Sequence, residues 1–317
     1  MATKVKPPVA EQPNYSSTKC KKSWKAVTAA EHYLHEGRYG KALALLFKYE
    51  DCEARAMLML AYMYYKGLGV VEDMKKAVLY LQKLAAFEDF RPGEEALLAT
   101  ALYYLGELYY RGIAVAKDDV EAERCWVRGA VLQKDPETGF HYYGSVQCQT
   151  ALGMFYSNPL FKNAKKAFYW HKKASESGSD VSEGALGVMY MHGIGTEVKL
   201  ELAYVYLVNA TIKGNIFAKG HLAAFCYRRQ MYHRTVTLGR ELASEEDLES
   251  LARERECPLE HVKQGIALGC FYLALCMQQG LEIAQNIQTA KELIKKAIQL
   301  SPDIAYDLHS KAILGMA

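Results

Sequence analysis

Apolar residues recur along this chain at spacings of three and four, and glycine-rich turns interrupt them at intervals. In the clearest copy, Leu60 and Tyr64 lie four residues apart and therefore share one face of a predicted helix. Gly67 and Gly69 follow, and glycine readily adopts the left-handed conformation that ends a helix and reverses the chain. A second helix then carries the small residue Ala77, which permits close packing. The pattern predicts two helices joined by a short turn.

The same pattern returns along the chain. Leu105-Gly106 is followed by the turn residue Gly112, and Leu186-Gly187 recurs in the same way further on. Self-similarity at a spacing of tens of residues indicates stacked repeats, because one helix pair cannot bury both of its faces alone. The leucines that set the register in the six clearest copies are Leu60, Leu105, Leu152, Leu186, Leu222 and Leu273.

The predicted fold is therefore all-α. We expect an α-solenoid, wound as a right-handed superhelix, of about seven stacked helix-turn-helix units plus a C-terminal capping helix. Residues 1–22 are expected to be a disordered basic tail, residues 23–50 a first unit of the tetratricopeptide type, and residues 51–300 the remaining array. Uneven intervals between the register leucines place insertions at about 87–96, 132–145 and 243–262. Ser301-Pro302 is a strong helix start and predicts the capping helix over 301–317.

Over residues 23–317 these units resemble Sel-1-like repeats, the variant of the tetratricopeptide repeat that has a glycine-rich turn. The resemblance implies a scaffold whose concave surface binds other proteins. A narrower likeness rests on Lys166–His171, on Gly184–Tyr190 and on Asp307–Ser310. These segments are similar to a cytoplasmic repeat scaffold that binds the intracellular tail of the lipoprotein-receptor-type endocytic receptor megalin. That likeness implies a receptor-tail adaptor, and the alternative is a general cytoplasmic scaffold that assembles soluble partners unrelated to megalin, including other scaffold proteins.

Charge is unevenly distributed in this chain of 317 residues and net charge +3. Residues 1–25 hold six lysines and one acidic residue, so the rest of the chain is nearly neutral. A nucleic-acid-binding protein would need a broad basic face, so no nucleic-acid partner is expected. The basic arm itself is interpreted as a solvated terminus, with an electrostatic role at an anionic membrane surface as the alternative.

Location and assembly are also predicted from these features. Residues 1–22 lack the apolar stretch of a secretory signal, and the sequence contains no run of about 18 apolar residues that could span a membrane. Its eight cysteines fall at irregular spacings and are expected to be free thiols in a reducing compartment. We therefore expect a cytoplasmic protein, and a monomer.

The sequence contains no convincing catalytic, cofactor-binding or metal-binding constellation. Gly67-Leu68-Gly69 lies between two helices and lacks the third glycine of a dinucleotide fingerprint. His32 and His35 lie three apart on a predicted helix, but no cysteine or carboxylate completes a metal site. We predict that the protein is not an enzyme and needs no cofactor or metal.

The candidate site is the groove side of the first helix in each unit. Positions two and five before the register leucine, and two, five and six after it, are expected to point into a concave groove. The last two positions combine tyrosines with cations, which could hold an extended peptide by its carboxylates and apolar side chains. A cation there also complements the negative end of the helix dipole, so the pattern has a purely structural alternative. The predicted groove residues are Arg55, Tyr62, Tyr65, Lys66, Tyr103, Glu107, Tyr110, Arg111, Asn158, His192, Tyr227 and Arg228.

Overall fold

A computed structural model describes residues 23–91, 93–132, 139, 141–254 and 257–302. Over these residues the fold consists of helices and turns, without a strand, which confirms the predicted all-α class. The predicted tail over 1–22 lies outside the described residues, as do most of the predicted capping helix after residue 302 and part of the insertion at 132–145.

Fifteen helices occupy the described part of the chain. They are α1 (Ser23–His35), α2 (Tyr39–Leu46), α3 (Ala54–Lys66), α4 (Met74–Ala85), α5 (Glu95–Arg111), α6 (Asp119–Ala130), α7 (Tyr143–Ser157), α8 (Ala164–Glu176), α9 (Asp180–His192), α10 (Leu200–Ile212), α11 (Ile216–Arg228), α12 (Tyr232–Ala243), α13 (Leu248–Glu254), α14 (Leu259–Gln279) and α15 (Ile287–Leu300).

The chain divides into two compact units, Met1–Cys148 and Gln149–Ala317. In the first unit, α1 pairs with α2, α3 with α4, and α5 with α6. In the second unit, α9 pairs with α10, α11 with α12, and α14 with α15. Each pair also packs on the next, as α4 does on α5 and α10 does on α11, so within each unit the helix pairs are stacked in chain order.

Left-handed residues end the first helices, as the glycine pattern predicts. Gly67, Gly112, Gly193 and Gly280 follow α3, α5, α9 and α14 with φ between 67° and 70°. The second turn position is also left-handed, even where the residue is Ala114 (φ 61°) or Glu282 (φ 55°). At Gly195 a side chain is sterically excluded as well, because a Cβ there would lie 2.0 Å from the backbone oxygen of Ala164.

Polar caps start most of the second helices. The side chains of Asp73, Asp118, Asn163 and Asn286 each accept a hydrogen bond from a backbone amide in the first turn of the helix that follows. Such caps satisfy amides that have no partner within the helix, and each stabilises it by about 1 kcal/mol.

The glycine after the register leucine makes room for a large side chain of the second helix. A Cβ at Gly106 would lie 2.3 Å from the Trp126 indole, so no other residue allows the two helices to approach this closely. The same relation recurs in the two following units, with different partners. The pairs are Gly106 with Trp126, Gly153 with His171, and Gly187 with Leu207.

Helices α11 and α14 approach until their backbones touch. A Cβ at Gly220 would lie 2.2 Å from the backbone oxygen of Gly265. A Cβ at Gly265 would lie 2.2 Å from the backbone oxygen of Ile216. The interior of the second unit is therefore closed at this point by main chain rather than by interlocking side chains.

Two of the predicted insertion segments pack against the repeats. Within 87–96, Arg91 donates through Nη2 to the carboxylate of Glu53 at 2.7 Å, and Glu53 is only 1% exposed. Ser23 of α1 also donates to that carboxylate, so one buried acid joins α1, the start of α3 and the insertion. Within 243–262, α13 rests through Leu248 and Leu251 on the core around α14.

Candidate functional site

The predicted groove residues fall in both compact units. Arg55, Tyr62, Tyr65 and Lys66 lie on α3, while Tyr103, Glu107, Tyr110 and Arg111 lie on α5, and these two helices pack against each other. Asn158, His192, Tyr227 and Arg228 belong to the second unit, at or near the ends of α7, α9 and α11.

Helix α3 presents two exposed tyrosines next to a cation. Tyr62 is 47% exposed and Tyr65 is 48% exposed. The Lys66 Nζ lies 4.9 Å from the centroid of the Tyr65 ring, within the range of a cation–π contact. This is the aromatic-plus-cation pair that the register predicts. Together these side chains form an amphipathic surface that can cover apolar groups and attract carboxylates.

Arg55 occupies a different environment at the other end of α3. Its Nε lies 3.8 Å from Glu53 Oε1, and this nitrogen is buried without a hydrogen-bond partner. The guanidinium therefore also contributes positive charge to the buried Glu53 carboxylate. Of the α3 residues, Tyr62, Tyr65 and Lys66 are the more accessible ones.

On helix α5, Glu107 and Arg111 were predicted as separate groove residues, but in the structure they form an ion pair. Arg111 Nη2 lies 2.8 Å from Glu107 Oε2. Burial raises the pKa of Glu107, and the nearby Arg111 opposes this shift. Burial also raises the pKa of Tyr103, and the Glu107 carboxylate adds to the effect. The Arg111 side chain is largely exposed, so it is the part of this cluster that a ligand can reach.

Tyr110 packs at the seam with the second helix of its unit. Its ring centroid lies 5.7 Å from that of Trp126, and the Lys117 Nζ lies 5.5 Å from the Tyr110 centroid. Tyr104, which the register rule does not select, is about half exposed and lies against Tyr103, with 5.3 Å between the ring centroids. Tyr103 and Tyr104 are adjacent in the sequence, and this pair of tyrosines was the signal that could have pointed to Tyr104.

In the second unit, two of the predicted residues are held by contacts with other residues of the chain. The Asn158 side chain accepts a hydrogen bond from the Leu160 amide at 2.9 Å and so closes the turn after α7. The Tyr227 hydroxyl accepts from Gln279 Nε2 at 3.2 Å, and its ring packs against Tyr272. Burial raises the pKa of Tyr227.

Arg228 and His192 are the exposed cationic or potentially cationic residues of this set. Arg228 Nη2 donates to the hydroxyl of the fully buried Tyr272 at 3.5 Å, which holds the guanidinium at the end of α11. His192 is the last residue of α9 and complements the negative end of that helix when it is protonated.

Partly buried histidines lie beside these two residues, and the register rule misses them. Burial lowers the pKa of His221 to about 3, and the positive charges of His192, Arg228 and His261 add to the shift. Phe217 lies between His221 and His261, with ring centroids 4.4 Å and 5.1 Å away. Both imidazoles are therefore neutral near neutral pH. His221 directly precedes the register leucine Leu222, but the sequence around it does not indicate its contact with α14.

Four of the described thiols do not resemble activated nucleophiles. Burial raises the pKa of Cys125, Cys226, Cys257 and Cys276 to about 11, so these thiols are protonated at neutral pH. Within the described ranges, no group of three histidine, cysteine, aspartate or glutamate residues is arranged to hold a metal ion. None of the helices in that part of the chain is long and apolar enough to cross a bilayer.

Comparison with known proteins identifies the repeats. The sequence profile of the Sel1 repeat matches residues 54–86, 99–132, 146–179, 182–215 and 267–302, which together make up more than half of the chain. The chain belongs to the Sel1 repeat family. Sel1 repeats generally mediate protein–protein interactions, so protein partners are indicated.

Two solved structures share the fold of this Sel1 repeat protein. A Sel1 repeat protein from Oxalobacter formigenes is 20% identical, with a TM-score of 0.58, over 86% of this chain and 96% of the other. The protein c5321, a protective antigen of uropathogenic Escherichia coli that displays an SLR fold, is 19% identical with a TM-score of 0.56. That match covers 92% of this chain and 52% of c5321. At these identities the likeness concerns the fold alone.

Proposed function

We propose that this Sel1 repeat protein is a non-enzymatic cytoplasmic adaptor that binds the intracellular tail of megalin. The proposed contact surface is the face of the first helices that carries the predicted groove residues. The observation that carries the proposal is the surface of α3, where Tyr62 and Tyr65 are exposed beside Lys66.

The chemistry of this face suits an extended acidic peptide that also carries apolar side chains. Exposed tyrosines offer large contact area at a low cost in conformational entropy, and they are enriched at the centres of protein interfaces. Lys66 and Arg111 add positive charge at matching positions of two adjacent first helices. A peptide lying across α3 and α5 would meet an aromatic and cationic position on each helix.

The test is a titration of the full chain with a labelled peptide that covers the cytoplasmic tail of megalin. Replacing Tyr62 and Tyr65 together by serine should weaken binding at least tenfold, or about 1.4 kcal/mol. The matched control is Tyr169→Ser, which removes a comparably exposed tyrosine from a second helix, α8. The control should bind like the unmodified chain.

A second variant examines the cations. Replacing Lys66, Arg111 and Arg228 together by alanine should weaken tail binding far more than it lowers the melting temperature, because all three side chains reach solvent, although Arg111 pairs with Glu107 and Arg228 donates to Tyr272. Equal affinity for this variant and the unmodified chain would reject the groove. If the unmodified chain does not bind the tail but retains other proteins through the same tyrosines, the general scaffold is the better description.

A further inference from the structure

Helix α8 and the turn before it expose a group of lysines. Lys172 and Lys173 lie seven and eight residues after Lys165, so these three side chains share one face of the helix. Tyr169 lies between them on the same face and is 52% exposed. Lys162 is exposed just before the helix begins. The name α8 patch is used below for six exposed residues: Leu160, Lys162, Lys165, Tyr169, Lys172 and Lys173.

The start of α8 is an unfavourable place for positive charge. The N-terminal end of a helix carries a partial positive charge, so acidic residues stabilise it and cations destabilise it. Lys162 and Lys165 lie at this end of α8, and the first turn contains no acidic residue. These lysines therefore do not contribute to the stability of the helix, and a role in binding is indicated.

Helix α4 provides an internal comparison, because its second and third residues are lysines, as in α8. Glu72 and Asp73 precede α4, and Asp73 Oδ2 lies 3.9 Å from the Lys76 Nζ. The matching residues before α8 are Lys162 and Asn163. Asn163 accepts a hydrogen bond from the first turn as Asp73 does, so the cap is kept without its negative charge. The excess of positive charge is thus a property of α8 and not of the repeat.

The acidic residues near the α8 patch do not cancel its charge. Residues 160–176 contain five lysines and one acidic residue, Glu176. A second exposed acidic residue, Glu197, lies two positions after Gly195, which packs against Ala164 at the start of α8. The region therefore keeps a positive excess that attracts an anionic surface.

The type of cation indicates what kind of anionic surface is bound. All the cations of the α8 patch are lysines, whereas the contact surfaces between proteins are depleted in lysine and enriched in arginine. Arginine is also preferred where a carboxylate or phosphate is held in a fixed geometry. Lysine acts as a hydrated point charge, which suits a surface of many anionic lipid headgroups.

Exposed apolar groups accompany these lysines. Leu160 is 79% exposed in the turn before α8. The Tyr169 ring packs edge-to-face against Trp170, with 5.1 Å between the ring centroids. Tyrosine and tryptophan suit the interface between headgroups and acyl chains, and an exposed leucine can enter that layer. A polyanion such as RNA offers no comparable environment for the leucine side chain.

From these observations we infer that the α8 patch binds the surface of a membrane that contains anionic phospholipids. The lysines contact the headgroups, while Leu160 and Tyr169 enter the interfacial layer. The attachment is peripheral and depends on ionic strength, because exposed charges are screened by salt. The patch lies on a second helix and the turn before it, so the inference goes beyond the proposed tail binding and does not depend on it.

The test is flotation of the full chain with vesicles of phosphatidylcholine that contain about 30% phosphatidylserine, at an ionic strength of about 0.1 M. The chain should float with these vesicles, should not float with phosphatidylcholine alone, and should be released by about 0.5 M salt. Lys165→Glu with Lys172→Glu should lower the lipid affinity at least about tenfold. The control Lys75→Glu with Lys295→Glu makes the same change in net charge at exposed lysines of α4 and α15, and should lower it less than about threefold.

Two further variants separate the contributions to binding. Lys165→Gln with Lys172→Gln should weaken lipid binding by a smaller factor than the charge reversal, and it avoids new negative charge on α8. Leu160→Ser should weaken binding about threefold or more and leave the salt dependence unchanged, because it removes only apolar contact. Matching thermal melts of all variants would show that the fold is kept.

Several results would overturn the inference. One is failure of the unmodified chain to float with the phosphatidylserine vesicles. Another is an equal loss of affinity in the α8 variant and its control, which would assign the attraction to net charge or to the lysines of residues 1–25. A third is displacement from the vesicles by an RNA oligonucleotide or a polyglutamate chain at equal charge concentration, because the surface would then bind any polyanion. An unchanged affinity of Leu160→Ser would overturn the entry of this residue into the membrane interface.

Discussion

Removal of Arg91 should destabilise the first compact unit although this residue lies in an insertion outside the repeats. Its guanidinium donates to Glu53 from Nη2 at 2.7 Å and from Nη1 at 3.4 Å, and Nη2 also reaches Ser23 at 3.1 Å. The Glu53 side chain is 1% exposed, so Arg91→Met leaves a carboxylate in the interior with less compensation.

The magnitude follows from the exposure of the two partners. Breaking a fully buried ion pair costs about 3–5 kcal/mol. Arg91 is 44% exposed, and Arg55 remains 3.8 Å from the same carboxylate, so we expect a smaller loss of about 2 kcal/mol in the free energy of unfolding. The matched control is Arg124→Met, because Arg124 pairs with Glu121 at 3.4 Å on the surface, and it should cost less than about 0.5 kcal/mol.

Urea denaturation of both variants measures the difference, with hydrogen exchange of α1 and α3 as a local readout. Glu53→Gln in the Arg91→Met background should recover part of the loss, because the uncompensated charge is removed. A double-mutant cycle over the two sites gives the coupling free energy. If Arg91→Met costs no more than Arg124→Met, the buried carboxylate does not depend on the insertion and the reasoning is refuted.

Two further changes test the interior. Burial lowers the pKa of His171 to about 4, below the value near 6.5 expected in the unfolded chain, so stability should be full above pH 6.5 and fall on the order of 2–3 kcal/mol towards pH 4. His171→Leu should remove this share of the pH dependence in thermal melts and leave the share of His221, whose pKa is also lowered, and an unchanged profile would contradict the burial of His171. Gly195→Ala should lower the free energy of unfolding by more than about 2 kcal/mol, because the new Cβ meets the Ala164 backbone. Gly40→Ala, in the open part of α2, should raise the free energy of unfolding by roughly 0.5–1 kcal/mol; urea denaturation measures both changes. Similar urea midpoints for the two alanine variants would show that the turn at residue 195 relaxes to accommodate the new Cβ.

The local features of the fold were predictable from the sequence. The alternation of Leu60, Tyr64 and Gly67 is a short-range pattern, and helix faces, turn glycines and caps depend on neighbours within one turn. The left-handed backbone at Ala114 was not predictable from residue type, because alanine disfavours this conformation. There the shape of the repeat imposes the turn that glycine adopts elsewhere.

Contacts between distant segments were not accessible to the same reasoning. Glu53 and Arg91 are 38 residues apart, and nothing near either residue indicates the other. His171 stands in a polar stretch of lysines, yet it is buried against Gly153 and its Nδ1 lies 3.1 Å from the Ser182 hydroxyl oxygen. For the groove, the register placed Tyr62 and Tyr65 on the surface of α3, but it did not use the i,i+4 spacing of Glu107 and Arg111, which was the available signal for their ion pair.

The backbone contact between α11 and α14 at Gly220 and Gly265 makes the last helix pairs of this chain difficult to replace by repeats from other proteins. Where neighbouring units meet through side chains, as at Phe168 and Tyr190, small substitutions on one side can be matched on the other. At this crossing each helix presents main chain, so a foreign repeat grafted after α12 would need a glycine at the position that meets Gly220. We expect chimaeras that lack this glycine to assemble with a gap or not at all, and engineered lengthening of the protein to succeed at other junctions first.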